Sequence, residues 1–595
     1  MEETVQMLFE EGALARNGMV RLTRPLNELA IPATVQDILA SRIDRLPGEQ
    51  KDLLQTLAVI GTEFRLAVVR KLIELQDLDL EHRLAALQLS EFIYEQPASG
   101  DVEYTFKHAL TRDVAYKSVL NERRRLLHER TGGALESLYA GSLDDYLAQL
   151  AHHYARSGNP SKAVEYCLRA CRHCVTRASY ADAVTHFETG IVRLQELPDD
   201  VRRAELELDL RIASLESLAT IKGYGSLEGE ESASRALELC RRLGTDWKDL
   251  WLALGGRHRS ALVRPDFQKA REIAAEMVAI AEQHESAAHL ARALSIRAFA
   301  NSVAGAFQPA AVDFDRAIAI YESTPSAVQE RLLDDAFNPA TARAMRAWNQ
   351  CCLGYLNQAL EQIDSATAIA READSRSSLE AVHTYALSVF DMRCEWQRMR
   401  ERAEANLALS IELGNLFRRA RAEVFLGWME VVSGEVDKGL ARMRQNLARF
   451  RATGSEIGVD EFLALIATAL GRMGRFDEAF RTIEEAFAVI QRTDAHMHEA
   501  EVYRRKAELL LVQDSTNAGL AERCFRTAIE LARKQHGKLW ELRATTRLAR
   551  MLAKQGKRDE AHAMLLEIYA WFTEGFDTAD LKEARALLDE LDNSP

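Results

Sequence analysis

The sequence predicts a mostly α protein: a small α+β segment over residues 1–130, then an α-α superhelical solenoid over residues 131–595. Three observations predict it. Proline and glycine are scarce, 11 and 30 in 595 residues, while Ala, Leu, Glu and Arg abound, a mix that favours helices. Hydrophobic spacing alternates between helix and strand periods only in the first part. From about residue 131, a glycine recurs with an alanine five residues on and another twelve on.

The N-terminal elements follow in order. Residues 1–12 read as a helix. Leu14 to Thr23 read as a hairpin, because Asn17-Gly18 accepts the positive φ of a tight turn. Thr34 is placed to cap a helix, with Asp37 reaching back to it, and that helix runs to about Leu46 before Pro47-Gly48. Further helices are expected at about 49–61, 65–76 and 79–90. Glu91–Gln96 and Val102–Phe106 flank a Pro-Ala-Ser-Gly-Asp turn and form a second hairpin. Helices followed by strand–turn–strand make a winged-helix-like pattern, and His108 follows it directly.

The repeat defines the rest. Gly158/Ala163/Ala170, Gly305/Ala310/Ala317, Gly354/Ala359/Ala366 and Gly474/Ala479/Ala486 share one spacing. Gly434 fits with Gly439 in the middle position, and Gly556 with Ala561. Positions 354, 394, 434 and 474 are 40 apart, with Cys394 in place of one glycine. The wider step from 474 to 556 predicts a degenerate repeat near 510–530. Glycine takes the left-handed conformation at a helix end. Alanine lets paired helices approach, and each pair must stack on its neighbours to bury its apolar face. The pattern resembles tetratricopeptide repeats. A 40-residue period exceeds their usual ~34 residues, so longer helices or turns are expected.

The net charge of −14 argues against general nucleic-acid binding, since phosphates must meet Lys and Arg. The short run Arg123-Arg-Arg125 is too small to change that. No run of about 18 apolar residues predicts a membrane span. The acidic start Met-Glu-Glu-Thr-Val is unlike a signal peptide, so the cytoplasm is the expected location. Eight cysteines are few, and disulfides are not expected there.

Several strings point to one bacterial family. They are Pro32-Ala-Thr-Val-Gln with Ser41-Arg-Ile-Asp-Arg-Leu46, Tyr104-Thr-Phe-Lys-His-Ala-Leu with Asp113-Val-Ala-Tyr116, and Arg124-Arg-Leu-Leu-His128. Lys51-x-x-Leu-Gln with Ala58-Val-Ile-Gly-x-x-Phe64, Ile221-Lys-Gly-Tyr-Gly-Ser-Leu-Glu228, Trp540-Glu-Leu-Arg-Ala544 and the segment Trp571–Ala584 complete the set. Together they resemble the C-terminal part of multidomain proteins that join a class III adenylate/guanylate cyclase, a STAND-type ATPase and tetratricopeptide repeats. The resemblance implies a cyclase and a phosphate-binding loop upstream. No G-x-x-x-x-G-K-[ST] string occurs here; Gly537-Lys538 and Gly556-Lys557 lack the rest of it. The expectation is a truncated relative, a split gene or a late start. This chain would be a non-catalytic regulatory scaffold with no cofactor of its own, meeting ATP or ADP only through an upstream domain. The expected partners are a protein or peptide on the concave face and a separately encoded cyclase or ATPase half. Two alternatives stand beside this: the regulatory half of a nucleotide cyclase/ATPase, and an ATP-dependent transcriptional regulator.

The individual candidates are few. By resemblance, His108 is a sensor of nucleotide state that touches a diphosphate; otherwise it caps the following helix or packs under the hairpin. Arg42 has the fork geometry for a γ-phosphate, against the plainer reading of a solvated face. Cys167, Cys171 and Cys174 share one helix face and read as core rather than zinc ligands. His284 and His289 are five apart, so on one helix they diverge and cannot bind metal together. Trp247, Trp251, Trp348, Trp396, Trp428 and Tyr321 are candidate anchors on the concave face, with interhelix core preferred for any one of them.

Overall fold

The structure is a computed structural model that describes residues 14–17, 19–22, 35–73, 76–97, 102–223, 226–263, 266–323 and 337–592. The expected helix over 1–12 and the Thr34 cap lie outside the described residues. Two compact units divide the chain, residues 1–214 and 215–595. The boundary expected at residue 130 falls inside a helix of the first unit.

That unit contains β1 (Leu14–Asn17), β2 (Met19–Leu22), α1 (Val35–Asp44), α2 (Gly48–Ile60), β3 (Glu63–Arg65), α3 (Leu66–Leu72) and α4 (Asp77–Leu89). Then come β4 (Ile93–Pro97), β5 (Val102–Phe106), α5 (Ala109–Ser118), α6 (Asn121–Leu138), α7 (Leu147–Tyr154), α8 (Pro160–Thr176) and α9 (Tyr180–Leu194). Both expected hairpins are present and antiparallel, with Leu14 opposite Leu22 and Ile93 opposite Phe106. The short strand β3 was not foreseen. It pairs with β5, Phe64 facing Tyr104, and makes a three-stranded sheet in the order β3-β5-β4. Three residues are too few for a period to show. Phe64 stacks on Tyr104 and meets Phe106 edge-on, above Leu54, Leu57 and Leu87.

After α10 (Val201–Lys222) the described residues form hairpins of helices. They are α11 (Leu227–Leu243), α12 (Trp247–Val263), α13 (Phe267–Gln283), α14 (Ala287–Val303), α15 (Phe307–Ser323), α16 (Pro339–Leu353), α17 (Leu356–Glu372), α18 (Arg376–Met392) and α19 (Trp396–Glu412). There follow α20 (Leu416–Val432), α21 (Val436–Ala452), α22 (Val459–Arg472), α23 (Phe476–Thr493), α24 (Glu499–Gln513), α25 (Ala518–Gln535), α26 (Lys538–Lys554), α27 (Arg558–Tyr569) and α28 (Ala579–Asp592).

The 40-residue period has a simple origin. Left-handed residues stand at Gly354, Asp374, Cys394, Gly414, Gly434, Gly454, Gly474 and Asp494, one every 20 residues. Between them lie 17-residue helices such as α17 to α21. Each helix is about 25 Å long at 1.5 Å per residue. Longer helices therefore account for the excess over the usual repeat. Cys394 takes φ 57° in the glycine's place. The expected degenerate repeat is α24 and α25, joined through a short 3-10 turn at Ser515–Asn517 rather than a glycine. The alanines at the five-residue offset, Ala310, Ala359, Ala479 and Ala561, are fully buried.

The second unit closes on itself. Arg271 pairs with Asp494 at 2.9 Å across 223 residues of sequence. The Asn357 amide donates to Glu574 at 2.8 Å across 217 residues, and the Met497 amide donates to the Val303 carbonyl at 3.1 Å. Successive superhelical turns thus touch. The helices α16, α18, α20, α22, α24 and α26 also pack on one another in sequence and form the inner wall. In α16 every residue except Arg343 is buried. The inner wall is thus largely buried.

Candidate functional site

The inner wall carries buried charges: Arg346, Glu380, Asp391, Arg421, Asp460, Glu501 and Arg504 are all at most 8% exposed. Two cavities open between inner helices. The first, about 220 Å³, is lined by Asp391, Trp428, Arg504, Arg543, Asp580 and Glu583 among others. Arg504 donates Nε and Nη2 to both oxygens of Glu501 at 2.8 Å. Arg543 bonds Asp580 at 2.9 Å and the Met392 carbonyl at 2.7 Å, 151 residues away in sequence. Burial opposes the charge on Glu501, yet Arg504 with Arg543 and Arg505 holds it well below the usual carboxylate range. Burial likewise opposes the charge on Arg543, and Asp580 and Glu501 more than offset it. Asp391 accepts the Trp428 indole N–H at 3.1 Å. Burial, with Glu461 nearby, pushes Asp391 up to about 6.

The second cavity, about 100 Å³, has an aromatic and aliphatic wall. Leu262, Phe299, Phe337, Met345, Trp348 and Tyr385 form it, and Arg259, Arg421, Glu461 and His498 stand around it. His498 bonds Asp460 at 3.2 Å. Burial alone would lower its pKa, but Asp460 and Glu461 raise it to about 8. It therefore stabilises the fold below its ordinary value of 6.5, and that contribution fades as pH rises through about 8.

His108 occupies the N-cap of α5 in extended conformation, without a side-chain capping bond. Arg42 is buried, not on a solvated face: its guanidinium donates to the Ser90 carbonyl at 3.0 Å and lies 4.9 Å from the Phe92 ring. Trp251, Trp348, Trp428 and Tyr321 are buried, as the core reading anticipates, and Trp348, Trp396 and Trp428 also line the two cavities. Cys167 and Cys171 are fully buried core residues, their thiols pushed to about 12 by burial. Among the described residues, no cluster of His, Cys, Asp or Glu is arranged to hold a metal ion. His284 and His289 do not diverge. Glu285 adopts φ 48° and breaks the helix between them, and both rings reach Trp247 at 4.8 Å, one stacked and one edge-on. The buried pair Glu501–Arg504 and the part-buried pair Arg543–Asp580 were missed. Trp540–Ala544 and Trp571–Ala584 contain Arg543 and Asp580, but one-dimensional spacing gave neither a partner.

The smaller unit holds a third polar cluster. His128 Nδ1 and His153 Nδ1 are 3.0 Å apart, so one imidazole donates and the other accepts. Tyr116 Oη meets His128 Nε2 at 2.9 Å. Burial first, then the neighbouring His152 and Arg156, lowers His128 to about 3; burial lowers His152 to about 4 and His153 well below its ordinary value. These groups fold neutral, whereas the unfolded chain binds protons below 6.5. Stability therefore falls as pH drops from about 6.5 toward about 3. His258 and His383, also pushed to about 3, act in the same direction in the larger unit. Thermal melts should show a midpoint dropping between about pH 6.5 and pH 5; a flat midpoint over that interval would contradict the assignment.

No family model matches the chain. An uncharacterized protein of Rhizobium meliloti (strain 1021) is 24% identical over 543 residues, covering 86% of this chain and 50% of its own length. The chain thus spans about half the length of that relative. Among solved structures, a Rap protein complexed with competence and sporulation factor is 13% identical, covers 67% of this chain and 99% of its own, and has a TM-score of 0.42. A signal transduction ATPase with numerous domains and a tetratricopeptide repeat sensor, from Pyrococcus horikoshii, is 13% identical, with 95% and 68% covered and a TM-score of 0.30. Yeast Tom70 is 15% identical, with 79% and 93% covered and a TM-score of 0.31. At TM-scores below 0.5 these overlaps add nothing to what the helix pairs establish by themselves. Among the described residues no helix is long and apolar enough to cross a membrane.

Proposed function

We propose that this chain is a regulatory interaction scaffold, without chemistry of its own, that seats a protein or peptide partner in the interior of residues 215–595. One observation carries the reading. The cavity walls are built from helices far apart in sequence, and ties such as Arg271–Asp494, Met497–Val303 and Asn357–Glu574 join the same turns. An occupant of the interior bears directly on those ties. A closed and a loosened wrap are then two states that a partner can distinguish, which is what sensing requires.

The tie amides supply the test. The Met497 and Asn357 amides are hydrogen-bonded between turns, so their hydrogen exchange reports the wrap. An effector found by thermal shift should change exchange at both. A ligand that stabilises the protein while both amides exchange as before would count against the proposal.

A second reading is favoured by the length of the relative, twice the matched span. In it this chain is the regulatory part of a nucleotide cyclase or ATPase. Nucleotide would come with an upstream domain or a separately encoded half, and His108 would read its state. The chain by itself is then expected to show no specific ATP binding by calorimetry; magnesium-dependent micromolar binding would overturn that expectation.

A further inference from the structure

Most arginines on α20 and α21 meet a carboxylate. Arg418, Arg421, Arg442, Arg444 and Arg451 each pair with one. The exceptions on these two helices are Arg419 and Arg449. Arg449 donates to the Asn446 amide oxygen at 3.1 Å, and neither guanidinium has a carboxylate partner among the described residues. Both line one cleft of about 390 Å³, together with Lys222. Among the described residues no Asp or Glu lines it. The whole chain carries a net charge of −14, so three cations around one cleft are a local excess, and such a cleft concentrates anions. The other charged cavities differ. The one beside Trp428 sets Asp391, Glu508, Asp580 and Glu583 among its arginines. In the smaller unit, Glu63 and Glu103 share a lining with Arg65 and Arg112. There Arg65 already donates to Tyr139 and Tyr146, and Arg112 to the Ala58 carbonyl and Asp113.

The cleft forms where the last turn of α10 reaches α20 and α21. Gly223 has φ 99°, and a Cβ there would meet the Thr453 carbonyl oxygen at 2.8 Å, so backbone meets backbone at one end of the cleft. Asn415, Ala420, Asn446 and Thr453 are its buried lining. Ala219, Leu416, Phe417 and Ala452 add apolar surface, and Leu416 is 58% exposed. The volume sets the size of the occupant. A cavity of ~150 Å³ holds benzene, so about 390 Å³ admits roughly 15 non-hydrogen atoms, and it falls within the range of small-molecule sites. We infer that this cleft binds a small organic anion. Its carboxylate or phosphate lies toward Arg419, Arg449 and Lys222, and its apolar body lies against Leu416, Phe417, Ala219 and Ala452. A guanidinium fork matches either head group. The cleft shares no lining residue with the charged cavity and only Phe417 with the aromatic one. The inference thus goes beyond the scaffold reading and does not depend on what sits in the interior.

Calorimetry on the full chain tests it, with hydrocinnamate, its neutral amide, phenyl phosphate and inorganic phosphate as probes. At least one of the two organic anions is expected to bind at millimolar concentration or below, about tenfold or more tighter than the amide and than inorganic phosphate. The tighter of the two identifies the head group. Arg419→Gln has no ion pair to lose and, with its fold checked by circular dichroism, is expected to weaken that anion about tenfold. Ala452→Trp, at the exposed end of α21, fills the cleft and is expected to abolish binding. Arg444→Gln removes an exposed arginine of the same helix that does not line the cleft, and should leave binding unchanged. The inference is overturned if neither organic anion binds, if the amide or inorganic phosphate binds as tightly, or if Arg419→Gln has no more effect than Arg444→Gln. The scaffold reading fails separately, through the Met497 and Asn357 amides.

Discussion

Glu501→Gln is expected to cost about 3–5 kcal/mol in the larger unit, the usual penalty for breaking a buried ion pair from one side. The side chain is 7% exposed, accepts two bonds from Arg504, and lies 3.6 Å from Arg543 and 3.9 Å from Arg505. Removing its charge leaves three guanidiniums close together with less counter-charge, in a place water reaches poorly. Glutamine keeps the shape, so the loss measures charge rather than packing. The midpoint of the larger unit's denaturant transition is the measurement. The double variant Glu501→Gln/Arg504→Met should recover part of the loss, because it also removes one stranded cation. A single-variant cost below about 1 kcal/mol would show that the interior is solvated and the enclosed-wall description wrong.

Gly439→Ala is expected to cost about 3 kcal/mol, at the upper end of ordinary overpacking. Gly439 lies inside α21, where alanine is otherwise about 1 kcal/mol the better helix former. A Cβ there would meet the Gly427 carbonyl oxygen at 2.4 Å and the Val431 nitrogen at 2.8 Å. Both are backbone atoms of α20 and cannot rotate away, so the helices must separate. Gly434→Ala is the control. It has φ 96° and nothing within 4 Å of an added Cβ, and should cost only the roughly 1–2 kcal/mol of left-handed backbone. If the two variants melt alike, the close crossing of α20 on α21 does not hold.

These two residues show how unevenly the sequence speaks. Gly439 was legible: it stood where other repeats carry Ala359 or Ala479, and a smaller residue at a helix crossing means a closer approach. The repeat also located the degenerate pair α24–α25 without a glycine to mark it. The strand Glu63–Arg65 was not legible, because its pairing with Val102–Phe106 is a tertiary fact with no local period. Arg42 carried the wrong expectation of a solvated face, since nothing local to its helix reveals Ser90 and Phe92. Glu501, Arg504, Arg543 and Asp580 read as ordinary charges on helix faces, and Arg543 and Asp580 lay within quoted strings without a role. Arg421 and Glu461 were hidden in the same way.

The sequence by itself determined the helix pairs and the glycine turns that recur between them. Glycine or another left-handed residue every 20 positions and a small residue five further on are local devices, and local geometry obeys local spacing. Only the tertiary structure decided that the pile of hairpins closes on itself and turns charged inner faces into buried ones. That closure sums a small rotation at each hairpin over some 150–230 residues, as Arg543 at Met392 and Arg271 at Asp494 mark. No single repeat encodes the sum, so which charges meet in the interior is settled by the whole coil.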